Sequence, residues 1–180
     1  MFEPLFVRRY GRSLVVLFAL CWSVTGLGAP DIDRFQGQWF GMGVSETPGQ
    51  TGPYEVRELD ILIRTQDDQG FVLTSTMVAL APSLDQEELL RARTLDFHPS
   101  DNPNRWAAQT SCDSYMQDAC AWARVDDNTL VVTTFALMAD GRSETQTYRR
   151  TLIGQTMVLS FSRVVDGQIV RTVTGTLTKQ

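Results

Sequence analysis

Lysine and histidine are almost missing from this 180-residue chain: Lys179 is the one lysine and His98 the one histidine. Sixteen basic residues against 21 acidic ones leave a net charge of −5, with arginine supplying nearly every cation. A lysine-poor, net-negative chain lacks the clustered cations that phosphate-backbone binding needs, so nucleic acid is not an expected partner. A single histidine leaves serine–histidine catalysis one place to act, and no Gly-x-Ser-x-Gly elbow accompanies it. His98 stands beside Pro99 in a Pro- and Asn-rich stretch, the setting of a solvated turn residue. Cysteine is also scarce, with three residues and no C-x-x-C spacing, which argues against redox or zinc chemistry. No metal ligand set and no cofactor motif emerges, and the sequence nominates no catalytic residue.

Long apolar runs are confined to the first 29 residues, which read as an export signal. Arg8, Arg9 and Arg12 form a basic start, and Leu14 to Trp22 is an apolar run too short to span a bilayer. Small residues from Ser23 to Ala29 supply a cleavage site, before Pro30 or one residue earlier, after Gly28. A lipid anchor at Cys21 is disfavoured because Leu20 is too large for the preceding position. The expected product is a single domain, 30–180, in the periplasm or outside the cell, with no stable membrane span and a net charge of −7. About 150 residues suffice to bury roughly two thirds of an unfolded chain's surface. Cys112 and Cys120 then remain as an isolated pair, which in an exported chain most simply forms a disulfide. Closing that short loop restricts the unfolded chain by roughly 2.5 kcal/mol.

From Trp39 onward no segment carries a long helical period; the pattern is one of strands and turns. Strands are expected at 37–45, 54–64, 70–80, 91–97, 105–109, 121–125, 129–138, 143–152, 156–165 and 168–178. Turn residues such as Asp67-Asp-Gln-Gly70, Asp126-Asp-Asn128 and Asp166-Gly167 punctuate them. Ile32 to Phe35 suits one helical turn plugging a barrel end, and Leu84 to Arg91 suits either a helix or a long hairpin loop. In the last hairpin, Met157, Leu159 and Phe161 share a face because side chains alternate along a strand. A three-residue loop with Gly167 left-handed sets them opposite Gly175, Val173 and Arg171, whereas a two-residue turn sets them opposite threonines. The first register gathers the apolar residues and carries Arg171 inward, where a charge needs a partner or a stacking ring.

Phe35-x-Gly37-x-Trp39, a helical turn before it and successive hairpins after it resemble the lipocalins and the wider calycin group. The resemblance implies an all-β antiparallel barrel of 8–10 strands, with Trp39 closing one end beneath an arginine from a late strand. Arg171 is the first choice for that arginine, with Arg163, Arg149 and Arg150 as rivals; the lipocalin Thr-Asp-x-x-Tyr motif is absent. Gly37-x-Trp39-x-Gly41-x-Gly43, Ala121-Trp-Ala-Arg124, Asn128-Thr-Leu-Val-Val132, Gln146-Thr-Tyr148-Arg-Arg-Thr-Leu152 and Asp166-Gly-Gln-Ile-Val-Arg171 look like an uncharacterised family of exported bacterial proteins. Gly37 to Gly43 is also similar to nitrobindins, which hold haem through a histidine. His98 does not stand on a late strand as that ligand would, so the departure removes the key residue.

A barrel of this kind implies binding of a small apolar or amphipathic ligand without catalysis. Tyr54, Phe71, Met77, Trp106, Trp122, Phe135, Tyr148 and Phe161 are the candidate cavity-lining residues, although a small barrel also needs such groups to fill its middle. Gln146, Tyr148 and Arg150 alternate onto one strand face and would orient a polar head only if that face points inward. Two alternatives stay open. One is an interaction or inhibitor-type protein with a filled barrel, its protein partner unidentified. The other is a cofactor-free isomerase or cyclase using interior carboxylates such as Glu58 and Asp60.

Overall fold

Alternating apolar and polar residues from Gly37 onward do fold as strands, each pairing with its sequence neighbour. The computed structural model describes residues 32–49, 54–79, 89–102, 104–109 and 119–180. A 3-10 turn, Ile32–Phe35, precedes ten strands: β1 Gly37–Glu46, β2 Glu55–Thr65, β3 Phe71–Ala79, β4 Leu89–Pro99, β5 Arg105–Ala108, β6 Cys120–Asp126, β7 Thr129–Leu137, β8 Ser143–Ile153, β9 Thr156–Val165 and β10 Gln168–Lys179. Every neighbouring pair is antiparallel, and β1 pairs with β10 to close the barrel. The expected all-β antiparallel barrel with a short helical turn is therefore the fold of this chain. Residues 1–29, including Cys21, and Cys112 lie outside the described residues, as do 84–88 of the stretch expected to be helix or loop; 89–91 are strand. Cys120 opens β6.

Closure removes the exposed edges that an open sheet would present. The seam depends on glycine. A Cβ at Gly41 would lie 2.0 Å from the Thr176 carbonyl oxygen, and one at Gly175 would lie 2.7 Å from Leu59 Cδ1. The two strands approach each other where no side chain fits between them.

The two ends of the barrel differ. At the end bearing the 3-10 turn, Phe35, Ile63, Phe71, Phe97, Leu130, Met157 and Leu177 are completely buried. Phe71 stacks on Phe97 at 4.7 Å and meets Trp106 edge-on at 5.6 Å, geometries that aromatic quadrupoles favour. Trp106 Nε1 donates to the Gln69 carbonyl at 2.8 Å, so its buried polar atom is satisfied. Burying a large apolar side chain contributes about 1.5–3 kcal/mol, so this plug supplies much of the driving force for folding.

Trp39 is 2% exposed and donates its Nε1 hydrogen to the Phe35 carbonyl at 2.9 Å, tying β1 to the 3-10 turn. The cation over its ring is Lys179, with Nζ 5.6 Å from the centroid, and not Arg171. The β1–β10 register explains the difference. Trp39 faces Lys179, whereas Arg171 lies eight residues back along β10, roughly 26 Å away at a strand's rise per residue. Gly37 takes φ +127°, and a Cβ there would stand 2.5 Å from Lys179 Cε, so the motif's glycine makes room for the lysine stem.

The last hairpin reaches the expected face by a different route. Asp166 (φ 46°) and Gly167 (φ 78°) form a two-residue turn between Val165 and Gln168, and the register then shifts between Ile169 and Arg171. That irregularity inserts one residue. Met157, Leu159 and Phe161 consequently face Leu177, Gly175 and Val173, instead of the expected Gly175, Val173 and Arg171. The bulge restores the apolar face that a plain two-residue turn would have lost.

Candidate functional site

Beyond the plug, the barrel is hollow. A cavity of about 790 Å³ opens between the walls, within the range of small-molecule sites. Its apolar surface comes from alternate positions on several strands, including Leu59 and Ile61 on β2, Leu73 on β3, Leu95 on β4, and Leu159 and Phe161 on β9. Strand alternation places each of these side chains in the lumen.

The unexpected component is charge. Arg57, Arg91, Arg93, Arg150, Arg163 and Arg171 line the cavity, with Glu144 as the one carboxylate among the described lining residues. The net-negative chain has a positively charged interior. Each arginine is placed by parity: Arg57 shares a face with Leu59 and Ile61, Arg163 with Leu159 and Phe161, and Arg150 with Leu152.

Arg150 is the deepest of them, at 2% exposure. Its strand, β8, and β3 are five strands apart either way round the ring of ten. Its guanidinium therefore crosses the lumen to reach Ser75 on the opposite wall, where Nη2 donates to Oγ at a long 3.4 Å. Tyr148 lies beneath it, with the ring centroid 5.2 Å from Cζ. Its Nε and Nη1 have no hydrogen-bond partner among the described residues. Burial pushes this guanidinium down to about 10, and the nearby Tyr148 hydroxyl offsets only part of that.

The neighbouring charges are differently placed. Arg163 Nη2 sits 2.5 Å from Glu144 Oε2. Gln146 Nε2 donates to Glu144 Oε1 at 2.5 Å, and the Tyr148 hydroxyl donates to Gln146 Oε1 at 2.9 Å. Burial works to raise Glu144, but the hydrogen bonds from Arg163 and Gln146 outweigh it and hold the carboxyl below its ordinary 4.5. Burial moves the Tyr148 phenol upward, so it is a neutral donor at physiological pH. Arg57 pairs with Glu55 and approaches the Met77 sulfur at 3.7 Å.

The residues expected to line a cavity divide into groups. Met77, Tyr148 and Phe161 do line it, and Tyr148 packs on Phe161 at 4.6 Å. Phe71 and Trp106 belong to the plug. Tyr54 is 70% exposed and Trp122 42% exposed, so neither reaches the lumen. Phe135 pairs with Cys120 and Thr145, and alternates with the inward Val132, Gln146 and Tyr148; its side chain therefore lies on the outer face. Arg171 belongs to the cavity lining, not to the Trp39 end. The strip Gln146, Tyr148, Arg150 points inward, the condition under which it can orient a polar head.

Glu58 and Asp60 alternate with the inward Arg57, Leu59 and Ile61, which puts them outside the lumen; Asp60 accepts from Gln38 Nε2 at 3.1 Å. An acid–base pair at these positions therefore does not face the cavity. His98 alternates with the inward Phe97, and its Nδ1 lies 3.2 Å from Asp68. Among the described residues, no group of three His, Cys, Asp or Glu side chains could hold a metal ion. Among the same residues, no helix is long and apolar enough to cross a membrane.

No protein-family model matches the chain, and no curated protein matches it by sequence. Solved structures do resemble it. Rv2717c from M. tuberculosis matches at a TM-score of 0.51 and 15% identity, over 81% of this chain and 92% of its own. A protein of unknown function from the DUF3598 family of Nostoc punctiforme matches at TM-score 0.41 and 12% identity, over 83% of this chain and 49% of its own. The S-type phycobiliprotein lyase CPES from Guillardia theta matches at TM-score 0.39 and 8% identity, over 82% and 89% of the two chains. At these identities the likeness is one of fold.

Proposed function

We propose that this protein is an exported, lipocalin-like barrel that binds a small amphipathic molecule without transforming it. The observation that carries the reading is the cavity of about 790 Å³, which combines apolar walls from five or more strands with a few buried polar groups. Small-molecule sites share this combination: the walls supply the driving force and the polar groups fix the orientation. A barrel that served only as a rigid scaffold would gain stability by filling that space, since interiors pack to crystal-like density. Export rests on the basic start, apolar run and small-residue cleavage site of residues 1–29, and on the motif resemblance to exported bacterial proteins.

The test compares an inward aromatic with an outward one. An apolar fluorescent probe should bind the purified protein with a dissociation constant in the micromolar range or below. Phe161→Ala should weaken uptake markedly, while Phe135→Ala should leave it unchanged. Absence of probe binding by the parent protein would end the carrier reading. The interaction-protein alternative would then lead, supported by Phe40, Met42, Tyr54 and Val56, which are exposed on or beside the outer face of β1 and β2. Native mass spectrometry of protein purified gently from its own periplasm would weigh any retained ligand directly.

A further inference from the structure

We propose that the deep part of the cavity is a receptor site for one compact oxyanion, of carboxylate, sulfonate or phosphate type, borne on a small apolar body, with Arg150 as its principal contact. The inference rests on the ligand-binding reading above and names the chemical class of the ligand.

A buried cation must find its counter-charge somewhere. Arg150 is nearly inaccessible to solvent, so water at the surface cannot serve it. Its hydrogen bond to Ser75 is long and runs to a neutral hydroxyl. Donors at Nε and Nη1 have no acceptor among the described residues. The carboxylate in the lining, Glu144, has one oxygen on Arg163 and the other on Gln146. The Tyr148 hydroxyl is directed toward Gln146, so Tyr148 offers Arg150 only the face of its ring. Among the described residues Arg150 is thus not neutralised internally, while Arg91, Arg93 and Arg171 in the same lining add to the positive field. In a low-dielectric lumen such a field selects anions strongly.

Arginine suits this task. Its planar fork stays charged and matches the spacing of carboxylate or phosphate oxygens, and the Tyr148 ring supports it from one side at 5.2 Å. An inorganic anion would satisfy the charge but leave the leucine and phenylalanine walls wet. An apolar body along Leu73, Leu95, Leu159 and Phe161 satisfies both requirements.

The test uses two probes with the same aromatic body, 1-anilinonaphthalene-8-sulfonate and the neutral N-phenyl-1-naphthylamine, titrated into the full protein at fixed ionic strength. The sulfonate should bind at least about tenfold more tightly than the neutral probe. Octanoate should displace it, and octan-1-ol should not. Arg150→Met should reduce sulfonate affinity at least about tenfold and leave neutral-probe affinity within about threefold. Arg150→Lys, which keeps the charge and loses the fork, should fall between them. Equal affinity of the parent for both probes, or equal displacement by the acid and the alcohol, overturns the anion site while the carrier reading stands. Failure of both probes to bind the parent overturns both. The parent comparisons decide the matter even where a variant does not fold.

Discussion

Replacing Arg150 with methionine should not destabilise the ligand-free barrel, contrary to the usual result of altering a fully buried residue. Burial pushes the guanidinium well below the usual arginine range, down to about 10, with Tyr148 opposing the shift. Each unit corresponds to about 1.4 kcal/mol, so holding the charge inside costs on the order of 3 kcal/mol. Against this stand one long hydrogen bond to Ser75, contributing at most about 1 kcal/mol, and the stacking on Tyr148, contributing roughly 1 kcal/mol. Methionine has a similar reach and a flexible thioether, and it retains most of the packing. The balance favours Arg150→Met by about 1 kcal/mol, a rise in Tm of about 2–4 °C. Because arginine stays charged across the accessible range, the difference should not vary between pH 6 and 9. Urea unfolding followed by circular dichroism, with both proteins free of ligand, measures it. A loss of 2 kcal/mol or more in Arg150→Met would mean that the cation is fully compensated within the protein, and would remove the premise of the anion site.

Lys179→Met should lower stability by about 0.5–1 kcal/mol in urea unfolding by removing the cation over Trp39, whereas Arg171→Met should not disturb that end of the barrel. Glu144 is held below 4.5, so its contribution to stability is present above that pH and fades as pH falls through the lowered value. Glu144→Gln should accordingly flatten the acid limb of a stability–pH profile. By freeing Arg163, it should also tighten binding of the anionic probe several-fold. We propose further that Cys112 and Cys120 form a disulfide: thiol titration of the unreduced protein should find neither free, and reduction should lower stability by roughly 2.5 kcal/mol. Two titratable thiols would dismiss the bridge.

The strands were legible because turn chemistry and period-two patterning are local properties. β7, β8 and β9 lie within a residue of the expected bounds 129–138, 143–152 and 156–165. The closing lysine was not legible from the same signals. Choosing between Lys179 and Arg171 requires the register of β10 against β1, and a single bulge near Ile169 changes the relation of sequence to position. Phe135 has the size of a cavity-lining residue but the wrong parity. It belongs to the face opposite Val132, which counting by twos from the inward Leu130 would have revealed. The same counting from Leu59 reaches Arg57, and from Phe161 reaches Arg163, so the positive lumen was encoded in parity although bulk charge concealed it. What parity cannot give is the crossing from Arg150 to Ser75, since that depends on the number of strands in the ring.

The β1–β10 seam has a consequence for how the barrel assembles. Nine of the ten pairings join neighbours in sequence and can form as local hairpins or short returns; the seam alone joins segments more than a hundred residues apart. Closing a loop of that length carries an entropic cost of about 4 kcal/mol beyond the constant term. The cost falls on one joint, which is held by the β1–β10 ladder and by Lys179 over Trp39, with Gly41 and Gly175 letting the two backbones close up. Folding should therefore be a two-tempo process, with rapid zippering of a curved sheet followed by a slower meeting of its two edges. The interior chamber exists only after the second event.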